Sequence, residues 1–335
     1  MKKYYAKRFE SSPLASEMRY LKIKVNIRRI FMKEKLLKQG VNSGLLDLVE
    51  DYVRNHPLTP EEEVRWKKPQ FLYYGKAVWE DAITAILAGE NILLTGPKAT
   101  GKNVLAENLA YLFHRPSWTV SFHINTDAST LIGTDTFKNG EVSFRKGPIL
   151  ECAEHGGYGI LDEVNMARND AVAVLHAALD FRRFIDLPGY HRIFLKEETR
   201  FIATMNYGYI GTRELNEALA SRFLIVQVPS IEKDELVSLL KGQYPALKTE
   251  WLDQFASLFR DLQKKADNAE ITTKPVDLRG LLASIRLMEL GLAPFRALEL
   301  GVVNKSFDPF EKDLVRDVIA LRIPKSLGSG DLFGK

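Results

Sequence analysis

The sequence predicts an α/β fold: a parallel sheet with helices on both faces, followed by a small all-α domain. Three observations lead there. From Phe71 to about Val228, short apolar strands alternate with longer helical patterns. A glycine-containing turn, Gly96 to Gly101, sits directly between one such strand and a helical run. Beyond Pro229 the apolar residues recur only at three- and four-residue spacing.

In chain order, the first forty residues hold twelve lysines and arginines against three glutamates, a net +9 within a whole-chain +4, which leaves −5 for the rest. The basicity therefore belongs to an arm, expected to be a solvated, poorly ordered extension; its charge would also suit nucleic acid, acidic lipid or an acidic partner. Met32 would also open a shorter protein. Ser43 to Val53 reads as an amphipathic helix, and the Pro- and charge-rich connector His56 to Pro69 as a domain boundary. The strands expected next are Asn91 to Leu94, Trp118 to His123, Gly159 to Leu161, Arg200 to Thr204 and Leu224 to Val228. Two hairpins interrupt the alternation. Thr134 to Phe137 and Glu141 to Phe144 flank Lys138-Asn139-Gly140, and a second hairpin runs from Arg183 to Phe194. Asn-Gly between alternating segments is a strong hairpin signal; both hairpins are expected to be mobile elements that touch a substrate or partner. The expected organisation is a basic extension and linker over 1–68, a nucleotide-binding α/β domain over 69–229, a helical lid over 230–325 and a flexible tail over 326–335.

At 45% hydrophobic and 27% charged residues the composition is that of an ordinary globular protein. No apolar run approaches the ~20 residues of a membrane span, and the start lacks the apolar core of a signal peptide, so no membrane partner and a cytoplasmic location are expected. The single cysteine, Cys152, excludes an intrachain disulfide and reads as a small buried apolar residue.

The chemistry starts at Gly96-Pro97-Lys98-Ala99-Thr100-Gly101-Lys102-Asn103. Two glycines and a lysine at this spacing, after an apolar strand, let backbone N–H groups wrap a polyphosphate while Lys102 adds a point charge on the β/γ-phosphates. The helix that follows, from Val104 onward, points its N-terminus at the same anion. These residues, Gly96 through Val104, form the expected ATP site. After the lysine such loops normally carry a Ser or Thr hydroxyl for Mg²⁺; here stands Asn103, whose amide oxygen is a hard but longer-armed ligand, and Mg²⁺ is expected to be held with weakened affinity or slower turnover.

Sixty residues after Lys102, the apolar strand Tyr158-Gly159-Ile160-Leu161 ends in Asp162-Glu163. A buried strand delivers its terminal acids into the crevice at the sheet's carboxyl edge. Asp162 is placed to hold Mg²⁺, and Glu163 to orient and deprotonate the attacking water. Forty-four residues further, Phe201 to Met205 ends in Asn206, a neutral donor and acceptor able to bridge γ-phosphate and water. An acid pair or an asparagine at a strand end is otherwise a common turn feature; their order after the phosphate loop favours the catalytic reading.

Together with Ala218-Leu219-Ala220-Ser221-Arg222-Phe223, these segments resemble the AAA+ ATPases, and more narrowly the MoxR branch and its relatives in the dynein-related group, which include the NorQ, CbbQ and GvpN proteins. Phe71 to Gly75 and Thr130 to Gly133 are similar to that branch as well. The resemblance covers about Pro69 to Leu321. It implies a P-loop NTPase core with an all-α lid, a hexameric ring, and Arg222 as an arginine finger reaching the neighbour's nucleotide, with Arg213 a second candidate. It also implies that Arg279, in Val276-Asp277-Leu278-Arg279, contacts the γ-phosphate in cis. Met166 departs from the positively charged residue that many relatives carry there. The implied activity is chaperone-like remodelling or maturation of a protein client, with a von Willebrand factor A domain protein or a metalloenzyme as the implied partner. Two other readings stay open: a nucleic-acid-directed NTPase of the McrB type, which no zinc or helix-turn-helix signature supports, and a nucleotide-gated scaffold with little hydrolysis.

Overall fold

The computed structural model describes residues 29–138, 140–187, 189–207 and 215–334. The chain up to residue 28, and Arg213, lie outside the described residues.

Five strands form one parallel sheet: β1 (Ile92–Gly96), β2 (Ser117–Ser121), β5 (Tyr158–Asp162), β8 (Arg200–Asn206) and β9 (Leu224–Gln227), in the spatial order β2-β5-β8-β1-β9. All five lie where the apolar runs predict them. β1 is buried at every position because β8 and β9 pair with its two edges and helices cover both faces. A parallel sheet of this kind needs crossover helices on its faces. The residues of 29–38, which are helical, together with α1 (Ser43–Asn55), α2 (Lys76–Leu87) and α3 (Lys102–Leu112) build one core layer; α4 (Ala128–Ile132), α5 (Pro148–Glu154), α6 (Asn169–Val172) and α7 (His176–Leu179) build the other. Cys152 belongs to that second core and is fully buried, which pushes its thiol pKa up.

The two hairpins form as expected. β3 (Gly133–Lys138) pairs with β4 (Glu141–Lys146), and the short strands β6 (Phe184–Ile185) and β7 (Ile193–Phe194) pair antiparallel. They also touch each other: the Tyr190 hydroxyl donates to Asp135 Oδ1 at 2.5 Å, and the Tyr190 ring lies 5.1 Å from that of Phe144. At the outer end of β3–β4, Phe137 and Val142 face each other across the strands and are exposed.

The lid comprises α8 (Lys233–Gln243), α9 (Thr249–Asp267), α10 (Leu278–Glu289), α11 (Pro294–Gly301) and α12 (Pro309–Arg322) around its own core. α10 and α11 cross in near backbone contact, since a Cβ on Gly280 would stand 2.0 Å from the Gly301 carbonyl oxygen and one on Gly301 would stand 2.1 Å from Ser284 Oγ. Only glycine allows that approach.

Two boundary expectations are corrected. The described part of the basic arm and the connector 56–69 are not solvated: Met32, Leu36 and Trp66 are buried in the same core as β1 and α3, beside Leu46, Val49 and Val53 of the amphipathic helix that the sequence predicts. Trp66 stacks on Tyr111 at 4.7 Å and donates to its carbonyl. Each such side chain contributes roughly 1.5–3 kcal/mol by burial, enough to outweigh the surrounding charge. Residues 326–334 are not a loose tail. Leu332 is fully buried in the lid, and the backbone pairs through Lys248 N to Leu332 O and Gly334 N to Ala246 O.

Candidate functional site

The sheet register gathers the predicted chemistry at one edge. Gly96, the last residue of β1, lies opposite Asn206 at the end of β8, and Leu161 of β5 lies opposite Ala203. The phosphate loop, Asp162, Glu163 and Asn206 therefore share the carboxyl end of the sheet.

The loop turns sharply enough that Ala99 and Gly101 both adopt positive φ, 63° and 87°. At Gly96 the backbone of the next strand approaches so closely that an added Cβ would meet the Val228 carbonyl oxygen at 2.2 Å. Lys102 opens α3 and is buried, with its Nζ donating to the Gly96 carbonyl at 3.0 Å, the Pro97 carbonyl at 2.7 Å and Thr100 Oγ1 at 3.3 Å. The ammonium thus sits in the hollow of its own loop. Burial lowers its pKa to about 8, against the opposing pull of Asp162 and Glu163, which lie close enough to act on it. Lys98 is exposed on the loop, and Val104 packs against the core behind it.

Across from the loop, Thr204 of β8 ties the acids together. Its hydroxyl donates to Asp162 Oδ1 at 2.8 Å and accepts the Glu163 N–H at 3.1 Å. Glu163 holds a left-handed conformation, φ 55° and ψ 46°. That turn carries its carboxylate to Asn206, whose Nδ2 donates to Glu163 Oε1 at 2.9 Å. A left-handed non-glycine residue is strained, and here it falls on the acid predicted to do the chemistry. Asp162 and Asn103 both offer oxygen donors, a set that fits Mg²⁺ completed by phosphate and water.

Thr204 is the residue that sequence reasoning missed. The signal was its position two before Asn206, since alternate strand residues share a face. A second omission is Tyr73. Its ring covers the phosphate loop, 3.3 Å from where a Cβ on Gly101 would be, and its N–H is held by Asn108 of α3. The next residue, Tyr74, packs against the lid core.

Arg222 lies elsewhere. Leu224, two residues on, is paired with Ile92 at the start of β1, so Arg222 stands at the amino edge of the sheet, opposite the phosphate loop of its own chain. Its Nε donates to the His176 carbonyl at 3.2 Å, its Nη1 to the Ala218 carbonyl, and its Nη2 lies 3.4 Å from Asp180 Oδ2. Arg182 clamps the same carboxylate at 2.7 Å and, with the Arg222 charge, holds the Asp180 pKa down at about 2. Arg279 is in the first turn of α10, exposed, with its N–H capped by Asp277; among the described residues no hydrogen bond joins it to the phosphate loop. Met166 closes a short helical turn after Glu163.

A family model described as the AAA domain of the dynein-related subfamily matches residues 91–223, the span from β1 to just past Arg222. The chain is 34% identical over 271 residues to the uncharacterized protein YojN of Bacillus subtilis (strain 168), covering 79% of this chain and 88% of that one. It is 30% identical over 261 residues to an uncharacterized protein of Staphylococcus haemolyticus, covering 76% of this chain and 98% of the relative. A protein of Staphylococcus aureus (strain COL), also uncharacterized, shares 30% identity over 251 residues, 73% of this chain and 95% of its own length. With relatives matched over most of their length, the chain belongs to one family with YojN, and across the loop, the acids and Asn206 it carries an AAA domain of the dynein-related subfamily, a nucleotide-binding α/β domain.

Proposed function

We propose that the protein is an ATPase that hydrolyses ATP to ADP and phosphate with Mg²⁺, works as a ring, and uses the cycle to remodel a protein partner. The observation that carries this reading is the pairing of Glu163 with Asn206 beside Lys102 and Asp162 at one sheet edge. Backbone N–H groups of the loop and the Lys102 ammonium would bind the phosphates once Lys102 leaves its own carbonyls. Asp162 and Asn103 would hold Mg²⁺, which neutralises charge on the β- and γ-phosphate oxygens. Glu163 orients the attacking water and takes its proton, while Asn206 aims the carboxylate.

Among the described residues, no guanidinium is bonded to the acids or Asn206 at this edge. Arg222, at the far edge, would complete the pocket of the next subunit, and hexameric closure is the arrangement that the MoxR-like resemblance favours. Arg279 would join the lid to the γ-phosphate after a domain closure that Tyr73 and Tyr74 are placed to link. A client with a von Willebrand factor A domain, or a metalloenzyme under maturation, is the partner class that the same resemblance favours.

The test is Glu163→Gln. ATP binding should persist with turnover reduced by ~10² or more, and the ring should retain its client in the presence of ATP. Wild-type turnover in Glu163→Gln would remove the assignment. Stable DNA retention in place of a protein would favour the McrB-type reading.

A further inference from the structure

A cavity of about 600 Å³ lies away from the phosphate loop, wrapped over the outer edge of β2 between the flanks of α3 and α5. Five cations line it, Arg65, Lys67, Lys68, Arg115 and Lys146, against two carboxylates, Glu107 and Glu151. Arg65 is engaged by Glu151 at 3.4 Å and Lys146 by Glu154 at 2.6 Å, and Arg115 donates to the carbonyls of Gly156 and His56. Lys67 and Lys68 are exposed and make no ion pair among the described residues.

The floor of this groove is main chain. Among the described residues, β2 pairs only with β5. Tyr158 N donates to Pro116 O and Phe122 N donates to Asp162 O, each at 2.8 Å, so the even-numbered residues of β2 turn their backbone groups toward β5. In a parallel ladder the intervening residues turn theirs the other way. The N–H and C=O groups of Ser117, Thr119 and Ser121 therefore face outward at the open edge, and Ser117 and Thr119 line the cavity.

We propose that this edge docks an extended acidic segment of a protein partner, which adds as a strand beside β2 and sets its carboxylates against Lys67 and Lys68. Strand addition supplies alternating main-chain donors and acceptors, and pockets for alternate side chains supply selectivity. The net positive lining selects acidic side chains. The chain's own N-terminal arm carries the wrong sign. A single-stranded nucleic acid fits less well, because it needs free aromatic faces for stacking. Trp118 is buried, covered by the Arg65 guanidinium at 4.7 Å, with its Nε1 given to Glu151, and Tyr111 is already stacked on Trp66. The inference rests on the fold and goes beyond the hydrolysis reading, so a failure of either leaves the other standing.

Fluorescence anisotropy on the full chain at low salt tests it, using a labelled peptide of alternating Glu and Val, its Lys-Val counterpart, and labelled oligothymidine. The Glu-Val peptide should bind, the Lys-Val peptide should not, and Lys67→Glu/Lys68→Glu should weaken binding by at least about tenfold. Thr119→Pro should cause a similar loss, since it deletes an outward N–H without touching the β5 ladder. If that variant does not fold, methylating alternate backbone nitrogens of the peptide makes the same cut from the other side. No binding of the Glu-Val peptide, equal binding of both peptides, or indifference to both the lysine and the backbone changes overturns the proposal. So does tighter binding of oligothymidine that only the lysine variant abolishes.

Discussion

Lys102 holds its charge largely out of water, and three carbonyl and hydroxyl oxygens of its own loop partly compensate. With its pKa lowered to about 8, the ligand-free fold releases this proton before an unfolded lysine would. Ligand-free stability therefore gains from this group as pH rises from about 8 toward the ordinary lysine value, whereas a polyphosphate binds the protonated form. ATP affinity, measured by calorimetry in chelator, should fall as pH rises through about 8, with a limiting slope of about tenfold per pH unit. A flat profile across that range contradicts the assignment. Thr204 offers a second residue-scale test. Thr204→Val keeps the shape but leaves Asp162 Oδ1 and the Glu163 N–H without their shared partner, a cost of roughly 1–3 kcal/mol concentrated on the catalytic acids. Turnover should drop about tenfold or more while ATP affinity, measured by the same titration, changes little. The sequence could show Asp162, Glu163 and Asn206, because strand ends after a phosphate loop are where such groups must stand. Its spacing of two from Asn206 places Thr204 on the same face, but a hydroxyl inside an apolar strand reads as ordinary β-propensity, so that signal is easily passed over.

At the scale of elements, apolar runs bordered by glycine and polar turns made all five strands legible, and Asn-Gly made the first hairpin so. What misled was averaging. The helical residues 29–38 carry Met32 and Leu36 among many lysines, and the last residues carry Leu332 among glycine and serine. In both places composition signalled solvent, while the few apolar side chains at helical or strand register decided the packing. The crossing of α10 and α11 was equally hidden, because two glycines twenty-one residues apart announce no contact. Gly280→Val should push these helices apart and cost the lid ~1–3 kcal/mol or more. Hydrogen exchange should register that loss over 233–322 and leave β1, β5 and β8 protected; unchanged lid protection would refute the contact.

At the scale of the molecule, the two halves of the proposed pocket occupy opposite edges of one sheet, so under the proposed ring reading hydrolysis would require a neighbour. Arg222→Ala should keep ATP binding and lose ~10³ to 10⁵ in rate, and wild-type specific activity should rise with protein concentration. Mixing supplies the sharper measurement. Arg222→Ala subunits retain an intact acid site, and Glu163→Gln subunits retain an intact arginine. Random co-assembly should revive activity at about a quarter of sites; a mixture as inert as its parts would show that the two residues serve the same chain. The contact between the hairpins adds a mechanical consequence. Asp135 grips Tyr190, and the strand leading to Tyr190 begins just after Asp180, which Arg182 and Arg222 both hold. A tug on Phe137 at the hairpin tip thus has a bonded route across the subunit to the guanidinium proposed to serve the next pocket, so in such a ring a load on one protomer would be felt as timing by another.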